Sequence, residues 1–502
     1  MYGFDPHQAA DTCHDNGKTS DGLFPTRDNA LEALLRQALP IYSEIVMNNL
    51  LPAPVAPIPG SHVLEIFYFD AGGGHRAAMT SLRSVIAERH PDWTVVSVDL
   101  QHLLEPVDPV HRVTARVTRP LRQWLAPVAP NLRFGPVQSQ SVYNAALRHG
   151  ATYSCGVVLP MLKLYIKRHS PAIEAVLRAY WCASERPVPD MVVSVVPNFN
   201  GCLFRALKAV HPGVAYVTIM TDLLDCPPRF WMEDQDQVLI VGTKRAARQA
   251  RESGFYAPHK VFQVSGMMLR PEFSHPPARS ALTRQDLGLS PNRPVALVMF
   301  GGNGSGSARL IVEKLAAAFP ALQTIVLCGS NRRLLQQLGH RQGCAAVGFV
   351  SNVADYMRLA DFFIGKPGPG SLSEAVQTGC PVIVEGNART MPQERPNLAW
   401  VKENRLGIVV RSFRRSLVKA VRRMLSDLPI YQANLRRNVP ANRAVFEVVE
   451  ILEQVPGRER QRDDIESSSR DFPFPAMQDG ETGAPLSSGR RPCGRDRPGP
   501  LA

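Results

Sequence analysis

Short apolar runs recur along the chain from Val63 onward, and several lack polar alternation. Val63–Phe69, Val95–Asp99, Met191–Val196, Ala215–Met220, Val238–Val241 and Val261–Val264 form one series. Val295–Phe300, Thr324–Cys328, Ala346–Phe349, Phe362–Ile364, Val382–Glu385 and Ile408–Val410 form a second. Runs of this length suit strands buried on both faces. Helical spacing fills the gaps between them, as at Ala77–Arg89 and Leu203–Val210. Such alternation predicts parallel, doubly wound sheets. A breaker-rich linker, Arg270–Pro294, divides the series. The pattern therefore predicts two α/β lobes facing a cleft, residues 61–275 and 276–455. The second closes with helical segments at Ser416–Leu425 and Ile430–Val455. Residues 1–60 read as an extension, partly helical at Asn29–Leu50. Residues 456–502 hold few core formers and predict a disordered tail.

At 502 residues the chain exceeds what one core supports, which agrees with two domains. No apolar run approaches the ~20 residues of a membrane span. The polar, acid-bearing N-terminus does not resemble a signal peptide. Nine cysteines without a CxxC pair predict neither a zinc site nor a disulfide framework, and suggest a reducing cytosolic setting. Net charge is +13 and unevenly spread. Between Asp108 and Glu174 no acid occurs, while Arg112, Arg116, Arg119, Arg122, Lys163, Lys167 and Arg168 alternate with Leu121, Trp124, Leu162 and Tyr165. A basic, apolar-studded surface suits an anionic bilayer. An ordinary solvated basic face remains the alternative. No nucleic-acid motif accompanies the charge, so nucleic acid is not expected as a partner.

Three glycine turns follow strand runs. In IGKPGPGSLSEA, Ile364–Ala375, the turn runs into a helix-like segment from Ser371. Unpaired N–H groups and the helix dipole there favour an anion. Ser371 and Glu374 form S-x-x-E, which reads either as a capping box or as a ribose-binding carboxylate. FGGNGSGS, Phe300–Ser307, is out of register with GxGxxG, and the next strand ends without an acid. A nicotinamide or flavin cofactor is therefore not expected, but Gly302 and Gly304 suit a pyrophosphate cradle. FDAGGGHR, Phe69–Arg76, puts His75 at a helix start, where an imidazole can take a proton from a hydroxyl. Gln393, Glu394 and Asn397 lie in a loop after Val382–Glu385 and suit sugar hydroxyls. Thr221-Asp222 ends a strand and either binds substrate or caps the next element.

These pieces together resemble glycosyltransferase family 28, in the branch of monogalactosyldiacylglycerol synthases and diacylglycerol glucosyltransferases. The resemblance rests on GGGHR, YNAALRHG at Tyr143–Gly150, TDLLDCPPRFW at Thr221–Trp231, VSGMMLRPEF at Val264–Phe273, GFVSNVADYM at Gly348–Met357, GKPGPGSLSEA and PQERPN, in the family's order. It implies a GT-B fold of two Rossmann-like lobes. The second lobe would hold a UDP-sugar, with Gly368, Pro369, Gly370 and Ser371 on the diphosphate and Glu374 on the ribose. Gln393 and Glu394 would meet the sugar, and Phe349 and Val350 the uracil. The first lobe would hold the lipid acceptor, with His75 as base. Gly73, Gly74, Tyr143, Asn144, Thr221 and Asp222 would lie on that side. Transfer of a hexose to diacylglycerol or a related lipid, with inversion and no metal at the diphosphate, is what the resemblance implies. The expected setting is cytoplasmic, peripheral on the inner face of a membrane. The alternatives are N-acetylglucosamine transfer to a polyprenyl-linked acceptor, and nucleotide-sugar binding without transfer. The chain departs from the family at Pro227, where a His is usual, at the order Phe230-Trp231, and at Pro197–Gly201.

Overall fold

The protein is described from a computed structural model, covering residues 61–70, 73–125, 155–183, 186–275, 282–302 and 304–456. The expected helix at Asn29–Leu50, the tail, Tyr143 and Asn144 lie outside these residues. Two six-stranded sheets are present among them. The first holds β1 (Val63–Tyr68), β2 (Thr94–Asp99), β3 (Met191–Ser194), β4 (Ala215–Ile219), β5 (Val238–Val241) and β6 (Val261–Gln263), in the order β2-β1-β3-β4-β5-β6. The second holds β7 (Val295–Met299), β8 (Gln323–Gly329), β9 (Cys344–Gly348), β10 (Phe362–Gly365), β11 (Val382–Glu385) and β12 (Gly407–Val410), in the order β12-β11-β10-β7-β8-β9. Every pairing between neighbouring strands is parallel. This is the pair of doubly wound α/β lobes expected of a GT-B fold.

The first lobe carries helices α1 (Gly74–Arg89), α2 (Pro109–Leu125), α3 (Cys155–Cys182), α4 (Asn200–Val210) and α5 (Lys244–Glu252). The second carries α6 (Ser307–Ala318), α7 (Arg332–Leu338), α8 (Val353–Leu359), α9 (Pro369–Gln377), α10 (Arg395–Glu403), α11 (Phe413–Ser426) and α12 (Leu428–Asn438), and α13 (Ala444–Gln454) follows. Helices on both faces explain the unalternated strands. β3, β4, β7 and β10 are buried throughout. Each fully buried Val, Leu or Ile there contributes about 1.5–3 kcal/mol.

One helical assignment needs correction. Ile430–Val455 is interrupted at Pro440, which cannot donate to a helix ladder. The last helix then leaves the second lobe. Val448, Val449 and Leu452 of α13 share a core with Leu82, Val85 and Ile86 of α1. Arg89 of α1 pairs with Glu450 at 3.2 Å, and His90 with Glu453 at 2.6 Å. By packing, this helix belongs to the first lobe.

The strand orders fix where ligands sit. In the first sheet β1 lies between β2 and β3, so the direction of winding reverses between β1 and β3. In the second, β7 lies between β8 and β10. Crevices open at the carboxyl ends of strands at such switch points. All three glycine turns flank these two crevices.

Candidate active site

In the first crevice, Gly73 adopts φ +84° and caps α1, placing His75 in its first turn. Arg76 closes the turn through a 2.8 Å ion pair with Asp70. The His75 Nδ1 lies 3.0 Å from the Thr221 hydroxyl. Burial pushes its imidazole down to about 4, against a hydrogen bond to the Val195 carbonyl that acts the other way. His75 is half-buried by exposed area and closely walled. One wall is the Trp231 indole, 5.9 Å away between ring centroids. At neutral pH the ring is therefore uncharged and able to accept a proton.

Asp222 does not share the partner of Thr221. It is buried, and its Oδ2 accepts from Trp231 Nε1 at 2.8 Å. Burial pushes the carboxyl up to about 7. The Trp231 hydrogen bond opposes this, Glu394 and Asp225 add to it, and Lys366 opposes it. Two of those groups belong to the other lobe. Asp225 fixes the loop between them by accepting the N–H groups of Arg229, Phe230 and Trp231 at 2.8, 2.9 and 2.7 Å. Asp225 carries no sequence signal for this role, because its donors are set by the loop's path and match no motif.

The loop also touches the second lobe. Cys226 Sγ donates to the Pro392 carbonyl at 3.4 Å. Pro392 opens the turn that carries Gln393 and Glu394. The loop that carries Trp231 and the turn that carries Gln393 and Glu394 therefore touch.

In the second crevice the glycine turns after β7 and β8 interlock. A Cβ on Gly304 would stand 2.2 Å from the Cys328 carbonyl oxygen, and one on Gly329 would stand 2.1 Å from that of Gly302. Both glycines have positive φ, +63° and +56°. The Ser330 N–H donates to the Gly302 carbonyl at 2.9 Å. Phe349, at the end of β9, is 65% exposed. Its ring edge lies 3.9 Å from where a Gly302 Cβ would be. Val350 packs behind, against the lobe's core.

Helix α9 begins at Pro369 with Gly368 as its cap residue. Pro pre-sets the first helical φ, so the helix starts two residues before Ser371. Ser371 is thus inside the first turn and is not the N-cap, which removes the capping-box reading. Gly370 has open space around its Cα. Glu374 is pushed up to about 7 by burial, with Arg270 lowering it and Glu272 raising it.

Lys366 is the residue here that the sequence analysis did not single out. Its Cε lies 3.9 Å from a Gly301 Cβ position and 3.4 Å from that of Gly368. The lysine therefore stands between the β7 turn and the start of α9. Its Nζ is 3.1 Å from Oε1 of the buried Glu394. A lysine in a motif that begins with glycine turns was the available signal. Glu394 thus has a cationic partner on one oxygen. The Gln393 amide oxygen is buried with no partner among the described residues, as is that of Asn397, whose Nδ2 donates to the Pro367 carbonyl at 2.7 Å. Among the described residues no three or more His, Cys, Asp or Glu are grouped to hold a metal.

Helices α2 and α3 expose Val113, Met161 and Leu164 at 62%, 64% and 68%. Arg112, Arg116, Lys167 and Arg168 are exposed beside them. The Tyr165 hydroxyl bonds the Val107 carbonyl, so the helices are neighbours at that end. Lys163 reaches the loop that carries Trp231, donating to the Pro228 carbonyl at 2.8 Å. No described helix is long and apolar enough to cross a membrane.

No protein-family model matches the chain. In sequence it is similar to monogalactosyldiacylglycerol synthases, as its motifs predict. It is 27% identical over 358 residues to a probable chloroplastic monogalactosyldiacylglycerol synthase of Nicotiana tabacum, covering 68% of this chain and 61% of that protein. It is 25% identical over 411 residues to the chloroplastic enzyme of Spinacia oleracea, covering 78% and 72%. The match thus spans less than two thirds of the tobacco relative. Among solved structures it is similar to CalG4, the calicheamicin glycosyltransferase, with a TM-score of 0.47 and 18% identity over 81% of this chain and 98% of that one. It is also similar to Acinetobacter baumannii MurG, with a TM-score of 0.42 and 12% identity over 79% and 100%.

Proposed function

We propose that the chain is a glycosyltransferase that moves a hexose from a UDP-sugar to the hydroxyl of diacylglycerol or a related membrane lipid, with inversion. The observation that supports this is that the loop walling a neutral His75 touches, through Cys226 and Pro392, the turn beside the glycine-rich start of α9. Similarity to monogalactosyldiacylglycerol synthases supports the lipid acceptor.

In this reading the exposed Phe349 stacks on the base, with Val350 behind it. Gly302 and Gly304 line the nucleotide side, and Glu374 meets the ribose. Backbone N–H groups at Gly368, Pro369's neighbour Gly370 and Ser371 face the diphosphate, where the dipole of α9 favours negative charge. Lys366 adds a full positive charge. The diphosphate charge is assigned to these groups, with no metal required. Gln393 and Glu394 lie toward the sugar, and the unpaired Gln393 amide oxygen suits a sugar hydroxyl.

The lipid hydroxyl approaches His75, with Gly73 and Gly74 keeping its path free of side chains. The reading puts the ring's one N–H on Nδ1, toward the Thr221 hydroxyl and the Val195 carbonyl, so Nε2 is the base. As the hydroxyl oxygen forms its bond to the anomeric carbon, the bond from that carbon to the phosphate oxygen breaks. The proton passes to Nε2, and the electron pair leaves with UDP. Preorganised dipoles and Lys366 stabilise that developing charge, and the two lobes hold the reactants in line. Asp222 holds the Trp231 wall in place. The exposed apolar and basic face of α2 and α3 supports peripheral docking on an anionic membrane, on the cytoplasmic side.

The test is transfer from labelled UDP-sugars to vesicles containing diacylglycerol, with and without anionic lipid. A labelled chloroform-soluble product is expected, and its rate should rise with anionic lipid. UDP binding without product from any lipid would leave the reading of a nucleotide-sugar-binding protein.

A further inference from the structure

Asn198 lies between β3 and α4, at the switch point of the first sheet. Its φ is +66°, a left-handed conformation that asparagine tolerates better than most residues. Its N–H donates to the Phe230 carbonyl at 2.7 Å, tying the turn to the loop that carries Trp231. Phe199 packs edge-on against Phe69 at 5.4 Å, beside the glycine turn. The segments on either side of Asn198's contacts border His75. Val195, three residues earlier, hydrogen-bonds the His75 ring, and Trp231, next after Phe230, packs against it.

The Asn198 amide oxygen is buried and has no hydrogen-bond partner among the described residues. Leaving such a group unpaired is costly, and at the switch-point crevice a ligand accounts for it. An amide oxygen only accepts, so its partner must bring an O–H or N–H. In diacylglycerol the single hydroxyl is committed to His75, and the neighbouring ester oxygens also only accept.

Resting on the proposed lipid transfer, we propose that Asn198 sets acceptor specificity, and that the acceptor is a lipid with a second hydroxyl beside the one attacked. The first hydroxyl donates to His75. The second donates to the Asn198 amide oxygen. Monoacylglycerol carries such a pair.

The experiment compares transfer by the full chain to vesicles holding diacylglycerol or monoacylglycerol, for the wild type, Asn198→Gly and Asn198→Asp. Glycine keeps the left-handed backbone and removes the amide, while aspartate keeps an accepting oxygen. The wild type is expected to favour monoacylglycerol about tenfold in kcat/KM, the worth of one such hydrogen bond. Asn198→Gly should lose that preference through a higher monoacylglycerol KM, with donor KM unchanged, and Asn198→Asp should retain it. Equal selectivity in wild type and Asn198→Gly would overturn the inference. Preference of the wild type for diacylglycerol would do the same while leaving the transferase reading intact. UDP binding without transfer to either lipid would overturn both.

Discussion

The two crevices are built from different materials. In the first, side chains do the positioning: Thr221 on His75, Asp222 on Trp231, Asp225 on three successive N–H groups. In the second, the backbone does it, through interlocked turns at Gly302, Gly304 and Gly329 and the bare start of α9. The division follows the ligands each would take. A diphosphate is an anion that backbone N–H groups can meet without a side chain. A hydroxyl that must lose its proton needs a titratable group held in one orientation.

The hardest blow to the side-chain crevice is His75→Ala. Turnover should fall about 10²–10⁴-fold, with UDP affinity unchanged by calorimetry. Retained turnover would remove the base from the first lobe altogether. The matching blow to the backbone crevice is Gly329→Ala, whose Cβ has no room. A loss of about 2–4 kcal/mol in denaturant unfolding is expected, with weakened UDP binding. If stability held, the interlocking of the turns would not matter energetically.

Lys366→Ala tests whether the second crevice is backbone alone. UDP affinity should drop roughly tenfold or more, as for a lost charged hydrogen bond. Unchanged affinity would mean that the lysine serves only Glu394. Asp225→Asn should cost about 1–2 kcal/mol and lower kcat while sparing donor KM, with a shift in Trp231 fluorescence reporting the released loop.

The smallest effect is in pH dependence. Burial holds the His75 pKa at about 4, below its ordinary 6.5. The base is then still unprotonated between pH 4 and 6.5, so the acid limb of kcat/KM should fall near pH 4. Stability linked to this ring is present above 6.5 and lost as pH falls toward 4. Asp222, raised to about 7 from 3.8, works oppositely: its contribution is present below 3.8 and lost as pH rises through 7. An acid limb at 6.5 would show a solvated imidazole.

The same contrast governs what the sequence makes legible. Glycine turns and unalternated apolar runs are local, so the strands, the switch-point turns and His75 can be read from neighbours in the chain. The side-chain crevice joins residues 75, 195, 221 and 231, whose partnership depends on strand order. Thr221 and Asp222 are visible as a strand-end pair, but their separate partners are not. Asp225 and Asn198 carry no spacing signal. The S-x-x-E pattern misleads because Pro369 begins the helix earlier. The last helix crosses lobes for a reason that periodicity cannot express, since its apolar face fits either core.

That crossing has a mechanical consequence. The chain passes between the lobes twice, near Ser265–Arg270 and near Val439–Arg443. The passages touch: Asn442 Nδ2 donates to the Met267 carbonyl at 2.9 Å, and the Arg443 N–H to Ser265 Oγ at 2.7 Å. Two bodies whose chain connections meet at one compact pivot swing about it more readily than they slide, against the lighter contact of Cys226 on Pro392. A few degrees of swing there would become ångströms at the far rim, opening the cleft while neither crevice deforms.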